Sequence, residues 1–436
     1  SKKGGPYASE IERSKRSYTI MTENITMENV DEIIADMKMF GFQQVNMHHM
    51  GGYRQGDFTL FEDVYPNGMP DFKAIVDRFH ENDIDLGMQP YTFFVDPKSS
   101  YISPIPHRDL DVMNTFTLSE DLGTDETTIY VQESVTHLTT YYAYTFVNSL
   151  YLWIDDELIH FSGLNKEKPY AFTGCERGAL GTKIAHHKKG SQVRQLKEYF
   201  FYFATRVGSE LYFEIARKTA EFYNEAGMDM IYLDAIDGTF ILDGEDYVWY
   251  HALTFINEMF KYLKSDPIFD CCYNPQYNGT WFVRTRYGAV DRARRGYTEF
   301  VDAHVLYNSK TAERMLVTPE LGWWDLYPNH KPNGIFGWQS KVVMMEDLEY
   351  LYLKTLAADA SVSFLESFRK HKHIPMLKSY APLLKRYLRF REKVGLSDAA
   401  KSVLRIPGMT ASLIENANGF ELREARYNRY RAESFD

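Results

Sequence analysis

The sequence of 436 residues contains only three cysteines, Cys175, Cys271 and Cys272, and they form no CxxC or His-spaced cluster. A zinc site and a disulfide framework are therefore not expected. No run of 18 apolar residues occurs, which argues against a membrane-spanning helix. Positive charge is also scarce, because 49 Lys and Arg residues stand against 60 Asp and Glu residues, a formal net charge of −11. This balance argues against binding to nucleic acid or to an anionic membrane surface.

Motifs of nucleotide and acyl-transfer chemistry are missing as well. No GxGxxG follows a predicted strand, no Walker loop occurs, and no Ser lies in a nucleophile elbow. The sequence is instead rich in aromatic residues, which make up 15% of it, with 32 Tyr, 29 Phe and 6 Trp. Sugar rings stack on aromatic faces, so this excess is a first indication of carbohydrate binding, although a large aromatic core would give the same composition.

Apolar periodicity predicts strands that alternate with helices in two parts of the chain. In the first part, a helix follows Thr26 and ends at Gly41, and in the second a helix covers 210–226 and ends at Gly227. The eight predicted strands are Tyr18–Met21, 42–47, 84–93, 229–234, 268–273, 300–306, 314–318 and Ser361–Leu365. Eight such strands predict a fold of the α/β class, a (β/α)8 TIM barrel.

Between residues 115 and 193, short β-prone runs such as Tyr151–Ile154 and Glu157–His160 replace the helical period. A structureless loop of that length is improbable in a compact domain, so we predict a small β-domain inserted after strand three. Residues 402–422 again alternate like strands and predict the start of a C-terminal β appendage. We therefore expect a first barrel part at 1–111, the insert at 112–194, a second barrel part at 195–394 and the appendage at 395–436.

In barrels of this kind the chemistry lies where strands end and the following loops begin. Asp234 follows a buried apolar strand, where a carboxylate is costly to desolvate unless it is used or paired. Glu320 follows predicted strand seven and precedes Trp323 and Trp324. An apolar wall raises the pKa of a carboxyl group, which suits a general acid at a sugar site. Two structural alternatives stay open, in which Asp234 caps a loop and Glu320 forms a surface ion pair.

Further side chains at the predicted strand ends could hold sugar hydroxyls or an anionic group. His48 and His49 are adjacent, so only one of them is expected to line the mouth of the barrel. A basic run that includes Arg284 and Arg286 could bind a uronate or sulfate, since Arg forks match carboxylates, or it could form a solvated, ion-paired face. The predicted substrate-binding residues are His48, His49, Gln89, Tyr91, Asp237, Asn274, His304, Trp323 and Arg284.

Five stretches carry a resemblance to a known clan. They are 45–49, 56–58, 65–72 with its Pro66-Asn67-Gly68-Met69 turn, 84–90, and 229–234. These stretches resemble the clan of retaining α-galactosidases and their relatives. The resemblance implies a TIM-barrel glycoside hydrolase in which Asp234 is the nucleophile and an Asp after strand six is the acid/base. Only Asp302 lies near that place, so Asp302 and Glu320 compete for the role, with Glu320 favoured.

We therefore expect a glycoside hydrolase, retaining in mechanism, that acts on a plant or host polysaccharide or oligosaccharide. Its partner is then a carbohydrate, no metal or organic cofactor is required, and the oligomeric state stays open. The alternatives are a lyase acting on a uronate polymer, with Tyr or His as base and Arg284 or Arg286 beside the carboxylate, and a non-catalytic carbohydrate-binding barrel. A periplasmic or extracellular bacterial location is favoured, although the first residues show no signal pattern.

Overall fold

The computed structural model describes residues 12–236, 238, 244, 246–272, 285–289, 297–324, 343–365 and 375–424. The strands within these residues are numbered along the chain. They are β1 (Tyr18–Met21), β2 (Gln44–Met47), β3 (Asp85–Met88), β4 (Phe94–Val95), β5 (Val112–Thr117), β6 (Thr128–Tyr130), β7 (Tyr151–Ile154), β8 (Glu157–His160), β9 (Gly163–Asn165), β10 (Ala171–Thr173), β11 (Gln192–Leu196), β12 (Glu198–Tyr199), β13 (Tyr202–Ala204), β14 (Met230–Leu233), β15 (Ile268–Cys271), β16 (Arg286–Ala289), β17 (Thr318–Trp324), β18 (Ser361–Leu365), β19 (Ala411–Asn416) and β20 (Gly419–Glu424).

The α-helices of the described residues are numbered in the same way. They are α1 (Val30–Phe40), α2 (Met69–His80), α3 (Glu210–Ala226), α4 (Val248–Tyr262), α5 (Tyr297–Met315), α6 (Met345–Ala357), α7 (Pro375–Lys393) and α8 (Asp398–Leu404). Two of them end as the sequence predicts, because Gly41 after α1 and Gly227 after α3 adopt left-handed φ angles of 82° and 75°. Glycine takes this conformation without the steric cost that a Cβ atom brings.

Eight parallel strands form one curled sheet in the order β15, β14, β3, β2, β1, β18, β17, β16. Its two outermost strands lie next to each other, because the N–H of Thr285, just before β16, donates to the carbonyl of Phe269 in β15 at 2.9 Å. Helices separate most of these strands along the chain, which gives the mixed α/β fold that the sequence predicts. Among the described residues, no helix combines the length and apolarity needed to cross a bilayer.

Two of the predicted sheet strands are corrected by the structure. Residues 300–306 belong to α5 and are not strand six, whose place is taken by β16. The buried residues Val301, Val305 and Ala312 recur at helical spacing, which explains why this segment forms a helix. Strand seven is also displaced, since β17 begins at Thr318 and continues for four residues beyond Glu320. Glu320 therefore lies within a strand and not at its end.

The amino end of the sheet is closed by a buried arginine. Arg286 is fully buried, and its guanidinium donates to the carbonyls of Arg13 and Arg16 and to the amide oxygen of Gln44, each at 2.9 Å. These bonds hold the segment around the 3-10 helix Glu12–Lys15 across this end. The inside of the sheet is therefore occupied by protein at this end, and the site is expected at the carboxyl ends of the strands.

The segment between β3 and α3 contains strands β4 to β13 and, apart from the short 3-10 helix Ala179–Gly181, no helix. They form three small sheets, in the orders β6, β10, β9, then β5, β11, β7, β8, and then β12, β13, β4. The predicted strands Tyr151–Ile154 and Glu157–His160 are confirmed as β7 and β8. The strands β13 and β4 pair in an antiparallel ladder, in which Phe203 lies opposite Val95 and Ala204 opposite Phe94. This pairing brings residues around 200 beside the carboxyl end of β3.

Candidate functional site at the carboxyl end of the sheet

Asp234 lies directly after β14, at the carboxyl end of the sheet, and is partly exposed. Its two carboxylate oxygens receive different donors, the side-chain amide of Gln89 at 2.6 Å and the backbone N–H of Ala235 at 2.7 Å. The backbone N–H of Asp234 in turn donates to the carbonyl of Pro90 at 3.0 Å. These bonds fix the orientation of the carboxylate, as a nucleophile or a sugar-binding acid requires. The structure thus brings the predicted residues Asp234 and Gln89 together.

Tyr91 lies near this carboxylate, whose charge acts on its phenol, and the two predicted histidines follow Tyr91 in a series of ring contacts. The ring of His49 stacks on Tyr91 at a centroid distance of 3.8 Å, and His48 lies 3.9 Å from His49. The expectation that the two histidines point to opposite faces is wrong, because β2 ends at Met47 and strand alternation no longer applies. Burial lowers the pKa of His48 to about 4, and burial with the neighbouring His48 lowers the pKa of His49 further. Both imidazoles are therefore neutral at pH 7.

The phenol of Tyr91 is protonated at neutral pH. Burial, and then the negative charge of Asp234, raise its pKa well above the ordinary value of 10.0. Its hydroxyl contacts the hydroxyl of Tyr144. A tyrosine in this state can donate a hydrogen bond to a substrate hydroxyl, but it is a poor base for the proton abstraction that the lyase alternative needs.

Aromatic rings line the inside of the sheet next to Asp234. The indole of Trp323 packs on Tyr232 at a centroid distance of 4.9 Å and donates to the hydroxyl of Tyr18 at 3.1 Å. Tyr232 precedes Asp234 by two residues, and the charge of Asp234 contributes to a raised pKa of Tyr232, after the larger effect of burial. Trp323 is 7% exposed, so most of its predicted sugar platform is covered by protein.

Glu320 lies inside the curled sheet and not at its mouth. The side chain is fully buried, and its Oε1 accepts hydrogen bonds from the hydroxyls of Tyr18 at 2.7 Å and Ser363 at 2.5 Å. The same Tyr18 hydroxyl accepts the bond from Trp323. The prediction that Glu320 ends strand seven is therefore wrong, because β17 is longer than its apolar pattern indicates and includes Trp323 and Trp324.

Asp302 and His304 are also placed away from the mouth, because both belong to α5. The carboxylate of Asp302 accepts from the hydroxyl of Tyr350 at 2.6 Å and from the N–H of Gly408 at 2.9 Å. His304 is buried and packs on Trp324, with a ring-centroid distance of 5.4 Å. The structure therefore does not bring these two predicted residues together with Asp234.

The remaining predicted residues divide into two groups. Asp237, Asn274 and Arg284 lie outside the described residues. Arg286 of the predicted basic run is described, but its guanidinium is taken up at the amino end of the sheet and cannot serve an anion site at the mouth. Within the described part of the chain, no group of three or more His, Cys, Asp or Glu side chains is arranged to hold a metal ion.

A cavity of about 410 Å³ lies beside His49 and was not predicted from the sequence. Its walls are largely aromatic, with charged side chains among them. They include His49, Met50, Arg54, Phe61, Asp96, Pro97, Lys98, Tyr144, Phe200, Phe201 and Tyr202. The local signal was the density of aromatic residues at 141–144 and 199–203, where every residue except Ala143 is Tyr or Phe, eight of the nine.

Comparison with known proteins gives matches to solved structures. No protein-family model matches the chain, and no curated protein is similar to it in sequence. The α-galactosidase from Lactobacillus brevis has a TM-score of 0.50 and 9% identity, over 98% of this chain and 49% of that one. The GH36 α-galactosidase AgaA from Geobacillus stearothermophilus has a TM-score of 0.47 and 10% identity, over 95% and 46%. The GH27 β-L-arabinopyranosidase Abp from the same organism has a TM-score of 0.49 and 9% identity, over 96% and 83%.

These structures are glycoside hydrolases, and the likeness to them concerns the fold. The chain spans about half the length of the two α-galactosidases. The fold-level resemblance to the α-galactosidase clan that the sequence indicates is confirmed. The substrate and the residues that act on it have to be argued from the site itself.

Proposed function

We propose that the chain is a retaining glycoside hydrolase with a (β/α)8 barrel, in which Asp234 is the nucleophile. One observation carries the proposal, namely that the carboxylate of Asp234 is oriented by Gln89 and Ala235 at the carboxyl end of the parallel sheet. Active sites of such barrels lie at this end. The opposite end is closed by Arg286, which leaves one end of the sheet for a substrate.

In the proposed reaction, Asp234 attacks the anomeric carbon while an acid protonates the departing glycosidic oxygen. A covalent glycosyl-enzyme forms, and the same acid, now a base, deprotonates the water that releases the sugar. Gln89 keeps the attacking oxygen in place, and the neutral His48 and the phenol of Tyr91 donate to ring hydroxyls. The small exposed part of the Trp323 indole contacts the reacting sugar ring.

The second carboxylate is sought at about 5–5.5 Å from Asp234, the separation of a retaining pair. In the clan that the sequence resembles, it follows strand six. Because strand six is β16 and not 300–306, the first carboxylate after it in the sequence is Asp291. Asp291 lies outside the described residues, so its assignment rests on its position in the chain. It replaces Glu320 and Asp302 as the acid/base candidate.

The experiment screens the protein against p-nitrophenyl glycosides, beginning with the α-galactoside and the β-L-arabinopyranoside, and against raffinose, with release of p-nitrophenol or sugar as the readout. Asp234→Asn and Asp291→Asn should each abolish turnover, and Asp302→Asn is the matched control that keeps it. Azide should restore turnover of an activated glycoside by Asp234→Gly, because a small anion can occupy the space that the lost carboxylate leaves. Activity that survives Asp234→Asn removes the nucleophile assignment.

A non-catalytic carbohydrate-binding barrel is the second candidate function. The placement of Glu320 inside the sheet favours it, because this residue cannot then complete a catalytic pair at the mouth. Sugar binding without any release of reducing ends, across the same substrates, would decide for it. The lyase alternative loses support, since Arg286 is buried at the far end and Tyr91 is held protonated.

Residues 112–194 are proposed as a β-domain inserted into the barrel, flanked by barrel parts at 1–111 and 195–394. Support comes from a separate hydrophobic cluster whose buried members all lie between Phe116 and Val193. Residues 395–436 are proposed as a C-terminal appendage, which in its described part contains α8 and the hairpin of β19 and β20. Expression of 112–194 alone, with its folding followed by circular dichroism, tests the proposed insert.

A further inference from the structure

Five aromatic side chains form an unbroken series of ring contacts that begins beside Asp234. Tyr91 contacts Phe200 at a centroid distance of 5.4 Å, and Phe200 contacts Tyr144 at 5.1 Å. Tyr144 contacts Phe201 at 5.5 Å, and Phe201 contacts Tyr142 at 5.1 Å. We call these residues, Tyr91, Phe200, Tyr144, Phe201 and Tyr142, the aromatic strip. It connects the candidate site to the protein surface.

Exposure increases along the aromatic strip. Tyr91 is 4% exposed, whereas Tyr142 is 37% and Phe201 is 42% exposed. Tyr144, Phe200 and Phe201 also line the cavity of about 410 Å³. A contiguous exposed aromatic surface of this kind is typical of a binding site and unusual for a surface that only faces water. The inner end touches the residues that surround Asp234.

The outer part of the aromatic strip is held in position by hydrogen bonds. The N–H of Phe200 donates to the carbonyl of Tyr144 at 3.0 Å, which joins the two segments that supply the rings. The hydroxyl of Tyr142 donates to the buried carboxyl group of Glu198 at 2.8 Å. The side chain of Asn148 donates to the carbonyl of Tyr141 at 2.8 Å and fixes the loop. Rings that are ordered before a ligand arrives bind it with less loss of conformational entropy.

The turn that carries two of these rings has a costly backbone conformation. Phe200 and Phe201 connect β12 to β13 with φ angles of 58° and 63°. Such a two-residue turn normally carries Asn and Gly, because positive φ is unfavourable for a bulky side chain. Strained residues of this type cluster at binding sites, where their side chains are needed for function despite the energetic cost of the backbone conformation.

We propose that the aromatic strip binds successive sugar rings of a polysaccharide chain and that the protein therefore acts on a polymer, not on small glycosides alone. This inference rests on the proposed function in one respect, since Asp234 marks the point at which the chain is cut. The faces of the rings stack on sugar C–H groups, and the hydroxyls of Tyr142 and Tyr144 bond to sugar hydroxyls. Continuity with a polar site at Asp234 favours a sugar chain over an apolar protein partner.

The test measures the retardation of the protein in native gels that contain guar galactomannan, arabinogalactan, xyloglucan or dextran. The Asp234→Asn variant is used, because it binds without cutting. Phe201→Ala and Tyr142→Ala, each added to Asp234→Asn, should weaken binding by about tenfold or more. The matched control is Tyr262→Ala, which removes a ring of α4 that is also 42% exposed and should leave binding unchanged.

Several outcomes would overturn the proposal. They are no retardation by any of the four polysaccharides, equal retardation of Phe201→Ala and Tyr262→Ala, and a changed sedimentation coefficient of Phe201→Ala, which would show that the strip joins two copies of the chain. Hydrolysis of p-nitrophenyl glycosides by the unaltered protein tests the proposed function separately. Hydrolysis without polysaccharide binding would contradict the role of the aromatic strip and support the enzymatic function. Polysaccharide binding through Phe201 without hydrolysis would support the role of the strip and contradict the enzymatic function.

Discussion

The two ends of the parallel sheet both carry buried polar groups, but only one is open. At the amino end, Arg286 bonds to three carbonyl groups of the segment that crosses the sheet, and Arg13 pairs with Asp229 at 2.6 Å. At the carboxyl end, the partly exposed Asp234 is oriented by Gln89. Burial of a charged group therefore does not by itself mark a functional site. Partial exposure distinguishes Asp234 from Arg286 and Glu320, which are both fully buried.

The largest effect is expected when the same chemical change is made at Asp234 and at Glu320. Asp234→Asn should lower kcat by about a thousandfold or more, because a nucleophile is removed. Glu320→Gln should lower kcat less than about tenfold, because Glu320 lies inside the sheet, although replacing the carboxyl group to which Tyr18 and Ser363 donate with an amide should cost about 1–3 kcal/mol of stability. Steady-state kinetics and urea unfolding of both variants measure this.

One result would contradict the different roles assigned to Asp234 and Glu320. If Glu320→Gln abolishes turnover while its free energy of unfolding stays within about 1 kcal/mol of the unaltered protein, Glu320 takes part in the chemistry. The substrate would then have to reach deeper into the sheet than the hydrogen bond from Trp323 to Tyr18 allows in this structure.

The second prediction concerns the closed end. Arg286→Met should destabilise the protein by about 3–5 kcal/mol, because it leaves the carbonyls of Arg13 and Arg16 and the amide of Gln44 without their buried donor. Arg78→Met is the matched control, since the Arg78 side chain is 46% exposed and pairs at the surface with Asp31, whose side chain is 68% exposed. That change should cost much less stability than Arg286→Met, because an exposed ion pair contributes little. Equal urea midpoints for the two variants would show that Arg286 does not close the sheet.

The part of the fold that could be predicted from the sequence is the part with a clear local period. β1, β18, α1 and α3 follow from apolar runs, helical spacing and the glycines that end the helices. Strand six was misplaced because 300–306 is short, and a window of seven residues does not separate a buried helix from a strand. Because of this error, Asp302 and His304 were predicted to lie at the site, although both belong to α5.

The candidate site was predictable only where it lies at a strand end. Asp234, Gln89 and Tyr91 directly follow β14 and β3, so the order of strands was enough to place them together. The turn of Phe200 and Phe201 is different, because it reaches the site through the pairing of β13 with β4, which are separated by more than a hundred residues. No local pattern encodes such a long-range contact, and the aromatic strip was therefore missed.

The third prediction concerns the pH dependence of stability, to which Glu198 and Asp229 should contribute with opposite signs. Burial raises the pKa of Glu198, beneath the aromatic strip, from 4.5 to about 7. The stability that its protonated form contributes is present below pH 4.5 and is lost as the pH rises through about 7, a change of about 3 kcal/mol. Asp229 at the amino end has a lowered pKa, despite burial, because His80 and Leu86 donate to it. Its contribution is present above pH 3.8 and is lost on acidification.

Thermal unfolding between pH 5 and pH 8 checks this difference. Glu198→Gln should flatten the fall in stability from pH 5 to pH 8, because the variant has no carboxyl group to ionise. The exposed Glu62 supplies the matched control, and Glu62→Gln should leave the slope unchanged. A Glu198→Gln variant with the slope of the unaltered protein would mean that the carboxyl group of Glu198 does not titrate near pH 7.

The smallest expected effect concerns the stabilities of alanine and glycine variants. At one position the glycine variant should be more stable than the alanine variant, which is the reverse of the order in a helix. Phe201 has a φ of 63°, so Phe201→Gly should be more stable than Phe201→Ala by about 1 kcal/mol, because a Cβ atom is strained there and glycine is not. At Tyr250, an exposed position inside α4, Ala should be more stable than Gly by about the same amount, as in any helix. Urea unfolding of the four variants measures both differences. The same order at both positions would show that the turn is not strained, and the argument that its rings are kept for binding would lose its energetic basis.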